Sequence, residues 1–500
     1  MSPGAAVTAI VVVAVATVTI GALGLRISRT TSDFYVASRT VTPALNGSAI
    51  SGEYLSAASF LGIAGLVLSF GADMLWYPIG WTTGYLLLLV FVAAPLRRSG
   101  AYTIPDFAQV RVGSDGARLA STWLVVIVGW LYLMPQFQGA GLTVRATTGA
   151  PSWVGTALVA AIVVVNVVSG GMRSITFVQA FQYWLKLTAM LVPLIFLLLA
   201  WRGDGAPAPI APEHWFEPLG AATPETLYRT YSIIIATFLG TMGLPHVVVR
   251  FYTNPDGRAA RRTTLIVLAL LGAFYLLPTL YGVLGRVYAP DLVGSGAADT
   301  VVLELPTRIL GGVAGDALAA LLMAGAFAAF LSTSSGVTMA LAGVVGQGLA
   351  RRGPWQGRLA PVAALRWAAV LCVSVPLVLA LLAQPIPVAN SVVFAFALAA
   401  STFCPLLVLG IWWRGLTAAG AIAGLVGGGL AATAAPILTL VARPEGWIGT
   451  VMSQPAAWSV PIGFALMIGV SLATRSRVPT DVSRTMVRLH TPERLPLDRG

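Results

Sequence analysis

Charge is the first thing this chain has little of. Only 10% of its 500 residues are Asp, Glu, Lys or Arg, against roughly 25% in soluble domains. Hydrophobic residues make up 57% and mean hydropathy is +0.84. That balance excludes a soluble enzyme. Cysteine is nearly missing too: Cys372 and Cys404 both fall in apolar stretches, which rules out a disulfide framework or a C-x-x-C metal site. The three histidines, His214, His246 and His490, are scattered. No H-E-x-x-H, G-x-S-x-G or aspartate cluster lies in or beside an apolar stretch, so no motif for a membrane-embedded enzyme is present and no catalytic residue is expected. No polar stretch is long enough for a signalling domain, since the longest connection is about 200–226 and the tail after 475 is short. The net charge of +12 does not imply nucleic acid, because the arginines sit in short clusters between apolar runs and form no single basic face.

What is present is a succession of apolar runs. A membrane helix needs about 20 such residues, and continuous rather than alternating hydrophobicity means helices, not a barrel. Thirteen spans are expected: 5–25, 43–70, 74–95, 119–143, 152–169, 175–200, 228–249, 263–287, 315–347, 360–383, 387–411, 416–440 and 457–474. The first lacks the basic n-region of a signal peptide and is too long for an h-region. Alternate connections carry 23 arginines on one side, and only Arg145, Arg202, Arg229, Arg286, Arg308 and Arg443 on the other. The positive-inside rule then places the N-terminus outside and the C-terminus in the cytoplasm of a multi-pass plasma-membrane protein. Residues 1–474 form one polytopic domain in the lipid bilayer, followed by a disordered cytoplasmic tail, 475–500.

Two spans carry glycine and polar residues at their centres: SAISGEYLSAAS in the second and ATFLGTMGLPH, Ala236 to His246, in the seventh. A broken membrane helix is tolerated where the freed backbone lines a cavity or a bound ion. The two spans are five apart, as the first helices of two inverted five-helix repeats would be. Glu53 is the one carboxylate deep in a span, roughly 15 Å from the cytoplasmic edge. It is protonated, paired, or facing water. The only lysine, Lys186, is also beyond snorkelling reach, on one helix face with Gln179 and Gln182. It is a structural anchor, a partner for Glu53, or an attraction for an anion. In FAAFLSTSSG, Ala329, Ser332 and Thr333 share a face and offer hard oxygen ligands for an alkali cation. Hydroxyls at this spacing more often bond back to the preceding turn, so a cation site needs ligands from a second helix.

Together DFYVASRT, SGEYLSAASFLG, GLPHVVVRFYT and FLSTSSG resemble the sodium:solute symporter family, and within it the acetate permease and short-chain monocarboxylate branch, over residues 33–420. The resemblance implies an all-α, LeuT-like core of two inverted five-helix repeats with broken first helices, here about 43–200 and 228–411. It also implies a cation site built from the carbonyls of Gly52 and Leu55, the carbonyl of Ala329 and the hydroxyls of Ser332 and Thr333. The second span is read as breaking at Ser51–Gly52. Proline-transporting relatives carry an aspartate where this chain has Tyr54, and the carboxylate is one residue earlier, at Glu53, about 100° around a helix. Direct ligation of the cation by Glu53 is therefore not expected.

The resulting expectation is a secondary transporter, not an enzyme. It imports acetate, propionate or pyruvate with sodium as coupling ion and no cofactor. A proton as coupling ion, or sodium symport of proline or a sugar, are the alternatives. Tyr54, Ser56, Trp76, Gln136, Thr237, Thr241 and Met242 are expected to line the substrate pocket beside the two breaks. None of these motifs encodes an oligomeric state.

Overall fold

The computed structural model describes residues 2–25, 30–219, 223–351, 360–383 and 388–493. Six arginines used to orient the chain, Arg26, Arg29, Arg352, Arg358, Arg494 and Arg499, lie outside them. The described residues are helical and contain no strand. Ten helices are long and apolar enough to cross a bilayer, and an eleventh is added if Pro224–Gly243 and Pro245–Phe251, bent by 42°, count as one span.

The expected thirteen separate spans are thus drawn together. Ala58–Arg98 runs for 41 residues and Ser152–Gly203 for 52. At 1.5 Å per residue the latter would reach about 78 Å if straight, more than twice the hydrocarbon thickness. It is interrupted at Gly171, with φ 56 and ψ −155, between the two expected spans. Glycine is required there twice over, because its backbone is left-handed and a Cβ would fall against Phe34.

Helix ends follow ordinary capping chemistry. Thr223 accepts from Thr226 N ahead of Pro224, and Asp256 accepts from Ala259 N at 2.7 Å, each satisfying an amide that the first turn leaves open. Thr30 and Asp33 form a reciprocal capping box. Burial pushes the Asp33 carboxyl up, but the Ser38 hydroxyl, Thr30 and the Arg173 guanidinium at 2.7 Å outweigh it and hold the group well below the usual carboxylate range. Asp33→Ala is expected to lower stability by about 1–2 kcal/mol at pH 7. A group with a depressed pKa stabilises above its unfolded value, so the gap between variant and wild-type melting temperatures should narrow below about pH 4.

Basic connections gather at one end of the bundle. Arg39 donates to Gly100 O, Arg97 to Asn254 O, Arg111 to Gly410 O at 2.7 Å, and Arg118 to Gln347 at 2.9 Å. The stretch after 475, expected to be disordered, contributes a helix there, Val482–His490, with Met486 and Leu489 buried. Arg488 donates to Arg98 O at 3.3 Å, and Glu493 lies 3.4 Å from Arg98. Its apolar face, one residue in three or four, was too short to register beside the arginines.

At the centre, Pro43–Tyr54 packs on Ser152–Gly203, which also packs on Gly312–Arg351, and Pro224–Gly243 packs on Val388–Trp412. Lipid supplies no hydrophobic drive between such helices, so close approach rests on small residues and interhelical hydrogen bonds. A Cβ on Gly52 would run into the backbone carbonyl of Gln179, and one on Gly240 into that of Phe396.

Candidate functional site

The first broken helix ends at Tyr54, three residues later than the expected Ser51–Gly52 break. Leu55 leaves helical geometry with φ −71 and ψ 82, and its amide still bonds Ser51 O. Beyond it the ladder is diverted. Ser56 N bonds Tyr54 O at 2.8 Å and Ser59 N bonds Ser56 O at 3.0 Å, while Ala57 N is taken by Gln136 Oε1 at 3.4 Å. The carbonyls of Gly52, Glu53 and Leu55 thereby lose their i+4 partners.

Those carbonyls are met from two other helices. Lys186 Nζ donates to Gly52 O, to Leu55 O at 2.7 Å and to Ser332 Oγ at 2.8 Å. Thr333 Oγ1 donates to Glu53 O at 2.6 Å, and Ser332 Oγ to Ala329 O at 3.2 Å. The five residues expected to hold a cation do converge, and the ammonium of Lys186 stands among them. Of the three roles open to Lys186, the geometry gives it the carbonyls rather than Glu53.

Glu53 is paired instead with Arg250, whose Nε lies 2.6 Å from Glu53 Oε2, both side chains being buried. Arg250 also donates to Thr176 Oγ1 at 3.0 Å and to Gln179 Oε1. Gln179 Nε2 in turn donates to Ser332 O at 2.8 Å. Gly336 makes room for the carboxylate, since a Cβ there would overlap it. The positive-inside pattern puts Arg250 among the cytoplasmic loop arginines, but the structure buries it. It follows the second break on the short helix Pro245–Phe251 and is fully buried. Its apolar neighbours in VVVRFY were the available signal. Gln182, on the same helix face as Gln179 and Lys186, turns to the first helix and donates to Thr17 Oγ1 at 3.1 Å.

Beyond the break lies a cluster of packed aromatic rings. Tyr54 Oη shares a 2.7 Å hydrogen bond with Thr241 Oγ1, joining the two broken helices. The Tyr54 ring meets Tyr85 edge-on at 4.9 Å and Phe396 at 6.3 Å. Trp81 lies 5.9 Å from both Tyr275 and Phe396, and Tyr132 lies 6.2 Å from Phe396. Among the buried polar atoms without a protein partner are Trp81 Nε1, Tyr85 Oη and Gln136 Nε2, together with Ser51 Oγ and Glu53 Oε1 on the broken helix and His246 Nε2 beside Tyr132.

Of the expected pocket residues, Tyr54, Ser56, Gln136 and Thr241 are brought together at the break. Thr237 sits one turn before Thr241, bonded back to Ile233 O at 2.8 Å, and Met242 is buried beside it in sequence. Trp76 is elsewhere. It lines a separate cavity of about 260 Å³ with Asp73, His214, Trp215 and Arg229, because it follows the Gly71–Leu75 turn at the end of its helix. Trp81, five residues on, takes the inward place, and span marking by hydropathy carries no rotational information to choose between them. A larger cavity, about 440 Å³, runs from Arg145, Asp299 and Glu304 to Ala57 and Phe330 at the break. Burial pushes the Asp299 carboxyl up.

Residues 34–428 match the model of the sodium:solute symporter family. The chain belongs to that family. Membership makes it a multi-pass membrane transporter for cation-coupled solute uptake. Over 93% of its length it is 31% identical to the symporter YwcA of Bacillus subtilis (strain 168), covering 94% of that protein. It is 29% identical, over 90% of its length, to the monocarboxylic acid transporter of Corynebacterium glutamicum, covering 86% of it. Among solved structures, a Na+-coupled sialic acid symporter in a substrate-bound outward-open state superposes with a TM-score of 0.72 at 14% identity, covering 94% of this chain and 97% of that one. MHP1, a nucleobase-cation-symport-1 family transporter in a closed conformation, superposes at 0.52 and 14% identity, covering 91% and 98%. These two likenesses concern the fold alone, and it is LeuT-like.

Proposed function

We propose that the protein imports small monocarboxylates, of the size of acetate, propionate or pyruvate, driven by a cation gradient. The observation that carries this reading is a group of partnerless buried donors near the break, Trp81 Nε1, Tyr85 Oη and Gln136 Nε2. All three can donate, and buried donors call for an acceptor-rich ligand, as a carboxylate is. Charge points the same way. Glu53, Arg250 and Lys186 leave one net positive charge buried behind the break, which suits a monoanion better than a neutral or zwitterionic solute. The aromatic faces of Tyr54, Trp81 and Phe396 suit a short apolar tail and offer no carboxylate for an amino group. The relative from Corynebacterium glutamicum, named a monocarboxylic acid transporter, supports the same class.

In this reading the cavity from Arg145 to Ala57 is the entrance, and the opposite, arginine-rich end faces the cytoplasm by the positive-inside rule. The two inverted repeats, 43–200 and 228–411, would pivot about the broken helices. The test is uptake of radiolabelled acetate into proteoliposomes under imposed sodium and proton gradients in separate arms. Propionate and pyruvate should compete. Competition by proline or a sugar with none by pyruvate would sink the proposal. Tyr54→Phe removes the hydroxyl that ties the two broken helices together, and about 1 kcal/mol with it. Acetate uptake should fall about fivefold in kcat/KM, measured as initial rates.

A further inference from the structure

The position expected for a coupling cation holds a cation that belongs to the chain. Ser332 Oγ lies 2.8 Å from Lys186 Nζ and 3.2 Å from Ala329 O, to which its hydroxyl can donate. The carbonyls of Gly52 and Leu55 can only accept. Two carbonyls and a hydroxyl around one nitrogen match the three N–H groups of an ammonium one for one. The other two expected ligands are engaged as well, Ala329 O with Ser332 and Thr333 Oγ1 with Glu53 O. Glu53 is matched to Arg250, so it does not stand ready for a second cation. A sodium ion would have to take the same oxygens from an ammonium that is fully buried. The displaced ammonium, on its four-carbon stem, would remain close by as a like charge in a medium of low dielectric.

We infer that Lys186 is the ion-specificity determinant of this transporter: its ammonium takes the place of sodium between the broken helix and the Gly312–Arg351 helix, and the wild-type protein neither binds sodium there nor needs it for uptake. The tethered ammonium bridges the same two helices that a bound ion would, but it cannot leave with the solute. Lysine suits this role because its ammonium is a compact point charge with three rotatable donors, where the planar fork of arginine could not reach three converging oxygens.

The test begins with binding. Purified wild-type protein is titrated with radioactive sodium, and its melting temperature is compared in sodium chloride and choline chloride at equal ionic strength. No saturable binding and equal melting temperatures are expected. In Lys186→Met saturable binding should appear and sodium should raise the melting temperature above that in choline. Acetate uptake by that variant should become sodium-stimulated by about tenfold, while wild-type uptake is unchanged by the salt. Saturable sodium binding to the wild-type protein that is lost in Ser332→Ala overturns the inference. So does a folded Lys186→Met that stays indifferent to sodium. Should that variant not fold, the wild-type titration decides alone. The uptake arm rests on the transport reading above, whereas binding and melting need no substrate, so either can fail without the other.

Discussion

Replacing Arg250 with alanine is expected to be the most damaging single change in the protein, with a loss of about 3–5 kcal/mol in stability. The reason is the carboxylate left behind. Glu53 and Arg250 lie 2.6 Å apart and are almost wholly shielded, and Glu53 Oε1 already lacks a hydrogen-bond partner. Without the guanidinium, Thr176 and Gln179 also lose their donor. The measurement is the melting temperature of the detergent-solubilised protein by size-exclusion fluorescence. Glu53→Gln in the same background should recover part of the loss, since it removes the unpaired charge, and the double-mutant cycle isolates that coupling. An Arg250→Ala protein within about 1 kcal/mol of wild type would show that the pair is not the buried lock described above.

Gly52→Ala is expected to be next. Its added Cβ would strike the main-chain carbonyl of Gln179, and a backbone atom in a packed helix cannot swing aside as a side-chain tip can. The Pro43–Tyr54 helix must therefore move away from Ser152–Gly203. That motion draws Gly52 O and Leu55 O off Lys186 and shifts Tyr54 relative to Thr241. Overpacking of this kind costs about 1–3 kcal/mol, and acetate uptake should fall by about tenfold or more because the contacts at the break are strained together. Gly272→Ala is the control. Nothing lies within 4 Å of a Cβ there, and alanine in a helix interior is favoured over glycine by about 1 kcal/mol. Equal uptake by Gly52→Ala and Gly272→Ala would refute the argument from helix approach.

Much of this site could be read from the chain before any fold was known, and the reasons differ by residue. Glu53 and Lys186 stood out because a charge far inside an apolar span must have a purpose. Both breaks were visible as Gly and Pro within otherwise smooth spans, and the second falls at Leu244 within the expected stretch. Arg250 was hidden by the rule that made topology legible. An arginine at the end of a span counts as a loop charge unless the apolar residues on both sides of it are weighed. Trp81, Tyr85, Tyr132, Tyr275 and Phe396 gave no signal at all, since aromatic residues in membrane helices face lipid as readily as protein.

By itself the sequence determined that this is a helical membrane protein, that two of its helices are interrupted, and that a few polar residues lie where lipid cannot solvate them. Those properties follow from transfer energies summed along the chain, which need no knowledge of neighbours. Only the tertiary structure decided which polar group meets which. Glu53 and Lys186 are 133 residues apart in the chain, each had several conceivable partners, and the choice depends on helix rotation and on approach within hydrogen-bonding distance. Glycine at 52 and 336 permits that approach. The carboxylate goes to Arg250, and the ammonium of Lys186 goes to the carbonyls that the broken helix sets free.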